Sequence, residues 1–252
     1  MSETDDSQAE AADTAVADVR EALDALADPA VLVVNERHGD DHAVNLTKLR
    51  AVAKEAGTGR KPAVKHELAL GLWETGDSAC RLAATLLMRP KSLDADALDT
   101  MLRQAGTPKV HTWLLSYVVK KSAHVDELRE RWFEETDPAT DPTVASAGWA
   151  LTTEKVAAWD PVTEEQAEQA GEITGLLDLI ESTMADSPDT LQWAQNECLA
   201  QIGINHPDFR ERAVEIGERL GVLKDYPTPK NCTSPYAPAW IAEMVSRQEA
   251  GS

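Results

Sequence analysis

The chain has 252 residues and a formal net charge of −20, from 44 Asp or Glu against 24 Lys or Arg. Its length permits a full hydrophobic core, as one large domain or two smaller ones. No apolar run approaches the roughly 20 residues of a membrane-spanning helix, so we expect no membrane partner. The first residues are acidic and polar, unlike a secretory signal, and the three cysteines lie far apart. Both features are typical of a cytoplasmic protein with reduced thiols.

In chain order, the sequence predicts a disordered acidic segment over residues 1–12 and then a single domain over residues 13–252. Apolar residues recur at a helical period throughout that domain. The predicted helices cover residues 13–27, 46–56, 62–75, 78–88, 93–105, 109–121, 122–135, 143–158, 173–185, 190–204, 207–220 and 239–248. The helix over 143–158 is rich in Ala and contains Gly148, which would permit close packing. The one β-branched run, residues 30–35, is too short and isolated to build a sheet.

The stretch 62–121 is the clearest part of this pattern. It predicts four short helices in two antiparallel pairs, with Pro62 at a helix start and Gly76 and Gly106 at helix ends. Each pair has one apolar face and must stack on a neighbour to bury it. The sequence therefore predicts an all-α fold, an α-solenoid of antiparallel helix pairs.

The charge is spread unevenly. Residues 48–131 carry fifteen Lys or Arg against ten Asp or Glu, whereas both ends of the chain are acidic. A basic middle could bind the phosphate backbone of duplex DNA. A solvated surface with no ligand explains the same residues equally well. The DNA-binding candidates come from consecutive helices and are Lys48, Arg50, Lys54, Lys65, Arg81, Lys109, Lys120 and Lys121.

The sequence contains none of the common motifs for phosphate binding, metal binding or nucleophilic catalysis. Neither a phosphate-binding Gly-rich loop nor an HExxH or GxSxG signature occurs in the sequence. We therefore expect no metal and no cofactor. The seven tryptophans are numerous beside two Phe and three Tyr. An indole in a DNA-binding cleft could stack on a base or contact a cationic base, although most of these tryptophans fall on apolar helix faces and should be core.

Several runs resemble a known family. They are Leu49-Arg50-x-x-Ala53-Lys54, Glu67-Leu68-Ala69-x-x-Leu72-Trp73, Cys80-Arg81-Leu82-Ala83, Cys198-Leu199-Ala200-Gln201-Ile202-Gly203 and the tail from Asp225-Tyr226-Pro227 to Trp240-Ile241. In this order they are similar to the DNA alkylation repair proteins, which are built from HEAT-like repeats. The resemblance implies a HEAT-like α-solenoid that holds duplex DNA in a basic groove. In active members it implies metal-independent excision of cationic N3- and N7-alkylated purines by an Asp beside tryptophans.

The resemblance fails at the expected catalytic position. Active members carry a Trp followed four residues later by the catalytic Asp, whereas here Trp113 is followed by Tyr117. No carboxylate occurs between Asp99 and Asp126. A later tryptophan of the family is replaced by Glu197, which leaves Trp113 and Glu197 as weak catalytic candidates.

Three hypotheses follow from the sequence. The first is a monomeric DNA-binding protein that recognises alkylated or altered DNA with little or no glycosylase activity. The second is an alkylpurine DNA glycosylase with a displaced carboxylate. The third is a non-catalytic scaffold that binds a protein partner, since helical solenoids often bind peptides and the net charge opposes nucleic acid.

Overall fold

The computed structural model describes residues 3–159, 166–230 and 232–251. The described residues form thirteen α-helices and no strand, which confirms the predicted all-α fold class. The chain divides into two compact units, Met1–Val125 and Asp126–Ser252. The expectation of one domain over residues 13–252 stays a prediction. In the part of the chain described, no helix has the length and apolar composition needed to cross a membrane.

The helices follow one another with short connections. The first unit contains α1 (Glu3–Asp24), α2 (Pro29–Glu36), α3 (Leu46–Gly57), α4 (Pro62–Glu74), α5 (Ser78–Leu87), α6 (Ala95–Gln104) and α7 (Pro108–Trp113), which continues as a π-helix (Leu114–Val118) and a 3₁₀ turn (Val119–Lys121). At the unit boundary begins α8 (Val125–Glu134), followed by α9 (Pro142–Ala157), α10 (Gln166–Thr183), α11 (Asp189–Asn205), α12 (Pro207–Leu220) and α13 (Ala237–Ala250).

Local sequence signals set the helix ends in the first unit. The Asp77 carboxylate caps α5 by accepting the N–H of Cys80 at 2.8 Å, and Asp94 caps α6 in the same way. These bonds satisfy backbone donors that the first helical turn leaves without a partner. Between α4 and α5, Gly76 adopts φ +73°, a left-handed conformation that favours glycine. The tight turn folds α4 and α5 against each other as an antiparallel pair, as predicted.

The apolar faces of this pair form the core of the first unit. Leu72 and Trp73 of α4 and Leu82 of α5 are fully buried. The pair packs against α1 and α3, which supply Leu23 and Leu49 to the same core. This pair thus buries its apolar face with help from its neighbours, which is the packing typical of helical repeats.

Two elements differ from the predictions. The helix α1 begins at Glu3, inside the segment 1–12 for which disorder was predicted, and residues 1 and 2 lie outside the described residues. This segment is rich in Ala and Glu, which are strong helix formers. The β-branched run 30–35 lies within α2, because Asp28 caps the Ala30 N–H at 2.8 Å and Pro29 occupies the first helical position.

In the second unit α11 is the central helix. It packs against α9, α12 and α13, and its buried face includes Leu191, Leu199 and Ile202. The small residues of α9 allow the close packing that the sequence predicted. A Cβ atom added to Gly148 would lie 2.5 Å from the backbone nitrogen of Phe133 and 2.6 Å from the carbonyl carbon of Trp132 in α8. The backbones of α8 and α9 therefore meet at a distance that only glycine permits.

Two of the three cysteines, Cys80 and Cys198, are buried in the cores of the two units. Burial raises the pKa of the Cys80 thiol and of the Cys198 thiol to about 12, whereas Cys232 is exposed. The thiolate is the reactive form of cysteine, so a buried thiol with a high pKa is inert.

We expect the folded protein to react with one equivalent of a disulfide reagent near pH 8, at Cys232, and with three equivalents once it is unfolded in urea. A thiol titration by absorbance measures both values. A Cys232→Ser variant should lose the fast reaction, and rapid labelling of a second thiol in the folded protein would contradict the burial of Cys80 and Cys198.

Candidate nucleic-acid interface

Three of the predicted DNA-binding cations surround one pocket in the first unit. Arg50 and Lys54 lie one turn apart on α3, and Lys65 lies in the first turns of α4. With Ala53, Gly57, Thr58, Leu86 and Leu87 they line a pocket of about 450 Å³. We call Arg50, Lys54 and Lys65 the cation triad. The spacing of four residues places Arg50 and Lys54 on the same face of α3.

Close helix packing brings Lys65 to the other two. A Cβ atom at Gly57 would lie 3.0 Å from Cδ2 of Leu87 and 3.6 Å from Cε of Lys65. The end of α3 therefore approaches α5. The aliphatic stem of Lys65 lies against Gly57 at this end of α3. This arrangement keeps the stem partly covered while the ammonium group reaches the pocket.

The triad brings three positive charges to one pocket. Among the described residues, no carboxylate lies within ion-pair distance of Arg50, Lys54 or Lys65. Burial and the nearby Arg89 lower the pKa of His66, whose Nδ1 accepts the Arg89 N–H at 3.2 Å, so this histidine adds no charge at neutral pH. Three cations with no carboxylate partner in the described part of the chain form a local positive field in a protein of net charge −20.

Arg50 also belongs to an aromatic cluster on α7 and the π-helix. Its guanidinium lies 4.4 Å from the centroid of the Trp113 ring and donates to the hydroxyl of Tyr117 at 3.3 Å. The two rings meet edge to face with centroids 5.3 Å apart. Lys121 places its ammonium 5.4 Å from the Tyr117 centroid. Both distances are in the range of cation–π attraction, so each exposed cation is held over a ring.

The helix that carries Trp113 and Tyr117 widens into a π-helix directly after Trp113. The Val119 N–H donates to the carbonyls of Leu114 and Leu115, five and four residues earlier. Such a widened turn shifts the residues after it relative to an ordinary helix and often marks a functional segment. Nothing in the sequence between residues 108 and 121 signals the widening, and sequence reasoning missed it.

Four of the other predicted DNA-binding residues lie outside the pocket: Arg81, Lys48, Lys120 and Lys109. Arg81 is half-buried, and its guanidinium donates to the carbonyls of Trp73 and Gln104, at the ends of α4 and α6. Arg81 therefore ties helix ends together. Lys48 is two residues from Arg50, about 200° around the helix axis, and so lies on another side of α3. Lys120 is half-buried on the 3₁₀ turn beside Lys121.

Lys109 occupies a different environment again, beside a buried acid. Asp40 is 3% exposed, and its carboxylate accepts the backbone N–H of Lys109 at 2.7 Å. The loop before α3 thus caps α7 from a distance. Burial lowers the pKa of the neighbouring His42, against the opposing effect of Asp40 and Asp41. Sequence reasoning missed Asp40, because the capping residue is 69 positions away from the helix that it caps.

We expect Asp40→Ala to lower the free energy of unfolding by about 2 kcal/mol, because it leaves a backbone donor of α7 without its charged acceptor. Urea denaturation followed by circular dichroism measures the change. Asp41→Ala is the matched control, since Asp41 is exposed and its loss should change stability by less than about 0.5 kcal/mol. Equal effects of the two substitutions would show that the Asp40 cap contributes nothing.

The two weak catalytic candidates lie in different units. Trp113 is 6% exposed in the first unit, with a ring face covered by Arg50. Glu197 is an exposed residue of α11 in the second unit. Within the described ranges, no group of three or more His, Cys, Asp or Glu is arranged to hold a metal ion.

The antiparallel helix pairs define the class of this protein, a HEAT-like-repeat fold with a basic pocket and an adjoining aromatic cluster. The sequence model of the DNA alkylation repair enzyme family matches residues 19–241, and the chain belongs to that family. The resemblance of the short motifs to this family is thereby confirmed.

A solved structure shares the fold over nearly the whole chain. It aligns with a TM-score of 0.66 and 20% sequence identity, covering 92% of this chain and 94% of the other. That protein is described as belonging to a new family of proteins related to the HEAT-like repeat DNA glycosylases with affinity for branched DNA structures. At this identity the likeness supports the fold alone. No curated protein matches the chain significantly.

Proposed function

We propose that this protein binds DNA through phosphate contacts made by Arg50, Lys54 and Lys65. The observation that carries the proposal is the convergence of these cations on one pocket without an acidic partner among the described residues. Lys and Arg that neutralise phosphates release condensed counterions, which drives binding without regard to sequence. Membership of the DNA alkylation repair enzyme family supports the same ligand.

We further propose that the protein does not excise alkylated bases. Tyr117 occupies the position where active relatives are expected to carry the catalytic Asp, and residues 100–125 contain no carboxylate. A cationic base would need the face of an indole and a nearby negative charge. At Trp113 that face is already covered by Arg50, a cation of the protein itself. Arg50 would repel a positively charged base.

The DNA ligand that fits these features is branched DNA, and not a duplex with a positively charged base. The solved relative is described as having affinity for branched DNA structures. We propose that the present protein also prefers junctions over linear duplex, with phosphates on the triad. Trp113 and Tyr117 would then restrict the side-chain conformations of Arg50 and hold its guanidinium in position for a phosphate.

A glycosylase with a displaced carboxylate is the rival function. It requires a carboxylate, such as that of Glu197, to act on a base bound elsewhere. It therefore predicts release of 3-methyladenine or 7-methylguanine, which the proposed function does not.

The test combines base release with binding. Methylated duplex is incubated with the protein and freed bases are measured by chromatography, with heat-treated protein as the blank and an active alkylpurine glycosylase as the positive control. Affinity for a four-way junction and a linear duplex of equal length is titrated at several salt concentrations. We expect no release, tighter binding of the junction and a steep loss of affinity with salt. Base release would overturn the non-catalytic role, and failure to bind either DNA would overturn the function itself.

A further inference from the structure

The pocket of the cation triad is larger than contacts with phosphates require. Its volume of about 450 Å³ lies within the range of roughly 300–1,000 Å³ that is typical of sites for whole small molecules. Contacts between a protein and the DNA backbone, by contrast, can be made by single surface side chains or backbone N–H groups. The pocket therefore has room for a further part of the ligand beside the phosphates.

The lining of the pocket combines positive charge with apolar surface. The triad supplies the cations, whereas Ala53, Leu86 and Leu87 supply apolar atoms. Leu86 lies one turn after the fully buried Leu82 on α5, but it is itself only half-buried. Among the described residues that line the pocket there is no Asp or Glu. The pocket thus places a site for anions next to a partly exposed apolar surface.

Gly57 leaves space where the charged and the apolar sides of the pocket meet. A Cβ atom at this last position of α3 would contact both sides, at 3.0 Å from Cδ2 of Leu87 and 3.6 Å from Cε of Lys65. Glycine is less favourable than alanine in a helix. Here the missing methyl group keeps the space between the leucine and the lysine open.

We infer that this pocket holds an unpaired nucleotide of branched DNA. The inference rests on the proposed function and names the part of the DNA that the same site takes. One face of the base lies against Leu86 and Leu87, and the phosphates on either side of that nucleotide contact the triad. A base without a pairing partner leaves the stack at the lowest cost, so an unpaired nucleotide at a branch point is the one that can enter the pocket.

The probes are two dye-labelled four-way junctions of the same sequence. One is fully paired, and the other has a single unpaired 2-aminopurine nucleotide at the branch point. Titration by anisotropy should show that the second junction binds about fivefold more tightly, because its free base covers apolar surface that the paired junction leaves in water. The emission of 2-aminopurine should also change on binding, since the base moves into the pocket.

Leu86→Gln separates the apolar surface from the charge. It should remove the preference for the unpaired nucleotide, while the affinity for the fully paired junction and its salt dependence stay as in the parent protein. The unchanged affinity for the paired junction also shows that the variant is folded. Leu179→Gln is the matched control, because Leu179 is 39% exposed on α10 in the other unit. The same substitution there should leave the preference unchanged.

The outcomes distinguish a failure of this inference from a failure of the proposed function. Equal affinity of the parent protein for the two junctions, or a preference that persists in Leu86→Gln, would overturn the inference and leave DNA binding by the triad intact. An unchanged 2-aminopurine emission in the parent protein would do the same without any substitution. Failure to bind either junction would overturn both the inference and the function on which it rests.

Discussion

Replacing Arg50, Lys54 and Lys65 together by glutamine is expected to lower the affinity for DNA roughly 100-fold at physiological salt, since each charged contact with a phosphate contributes about 1 kcal/mol. The slope of log affinity against log salt should fall by about three, one for each phosphate contact removed. The physical reason is that the three cations line one pocket and have no acid partner in the described part of the chain. Fluorescence anisotropy with a labelled four-way junction, repeated at four salt concentrations, measures both quantities.

The control variant changes the net charge by the same amount at other positions. Lys48, Lys224 and Lys230 are exposed and lie outside the pocket, and replacing all three by glutamine should change the affinity less than about threefold. If the control and triad variants lose affinity equally, binding depends on total charge and not on the pocket. If neither variant loses affinity, the phosphates are contacted elsewhere.

Arg50 needs a separate comparison, because it also stacks on Trp113 and bonds to Tyr117. Arg50→Lys keeps the charge but cannot reproduce the planar stack with its hydrogen bond. If Arg50 acts only through its charge, Arg50→Lys will bind as the parent protein does. If the aromatic cluster holds Arg50 in place for a phosphate, Arg50→Lys will lose several-fold in affinity while the salt slope stays unchanged.

The sequence predicted most of the fold because the signals of a helical repeat are local. Proline at helix starts, aspartate caps and apolar residues three and four apart act within one or two turns. The turn at Gly76 and the cap at Asp77 are therefore found as predicted. The run 30–35 was harder, because its β-branched residues disfavour a helix while Asp28 and Pro29 start one.

The candidate site was predictable only in part, because it depends on contacts between distant residues. Arg50 and Tyr117 are 67 positions apart, and no periodicity signals that they bond. Arg81 shows the opposite limit, since a cation on a helix surface resembles a DNA ligand in sequence but here caps two helix ends. The family resemblance indicated that Tyr117 stands at the position of the catalytic Asp. It gave no sign that Arg50 covers the ring of Trp113.

The close contact between the backbones of α8 and α9 gives the largest effect that we expect on stability. Gly148→Ala should lower the free energy of unfolding by about 3 kcal/mol, because the new methyl group would overlap backbone atoms of α8. Its Cβ would lie 2.5 Å from the Phe133 nitrogen and 2.7 Å from the Trp132 carbonyl oxygen. Backbone atoms cannot move aside as a flexible side chain can. The ring centroids of Phe133 and Trp149 are 4.9 Å apart, and these rings would have to separate as α8 and α9 move.

Two glycines of α10 provide the matched control. At Gly171 and Gly175 an added Cβ meets no atom within 4 Å, so alanine there adds helix propensity without a clash. Gly171→Ala and Gly175→Ala should each raise the free energy of unfolding by about 0.5–1 kcal/mol. Urea denaturation followed by circular dichroism compares the three variants. The same substitution then has opposite signs at two places in one unit, which intrinsic propensity alone cannot produce. A stabilising Gly148→Ala would mean that α8 and α9 do not approach as closely as the structure shows.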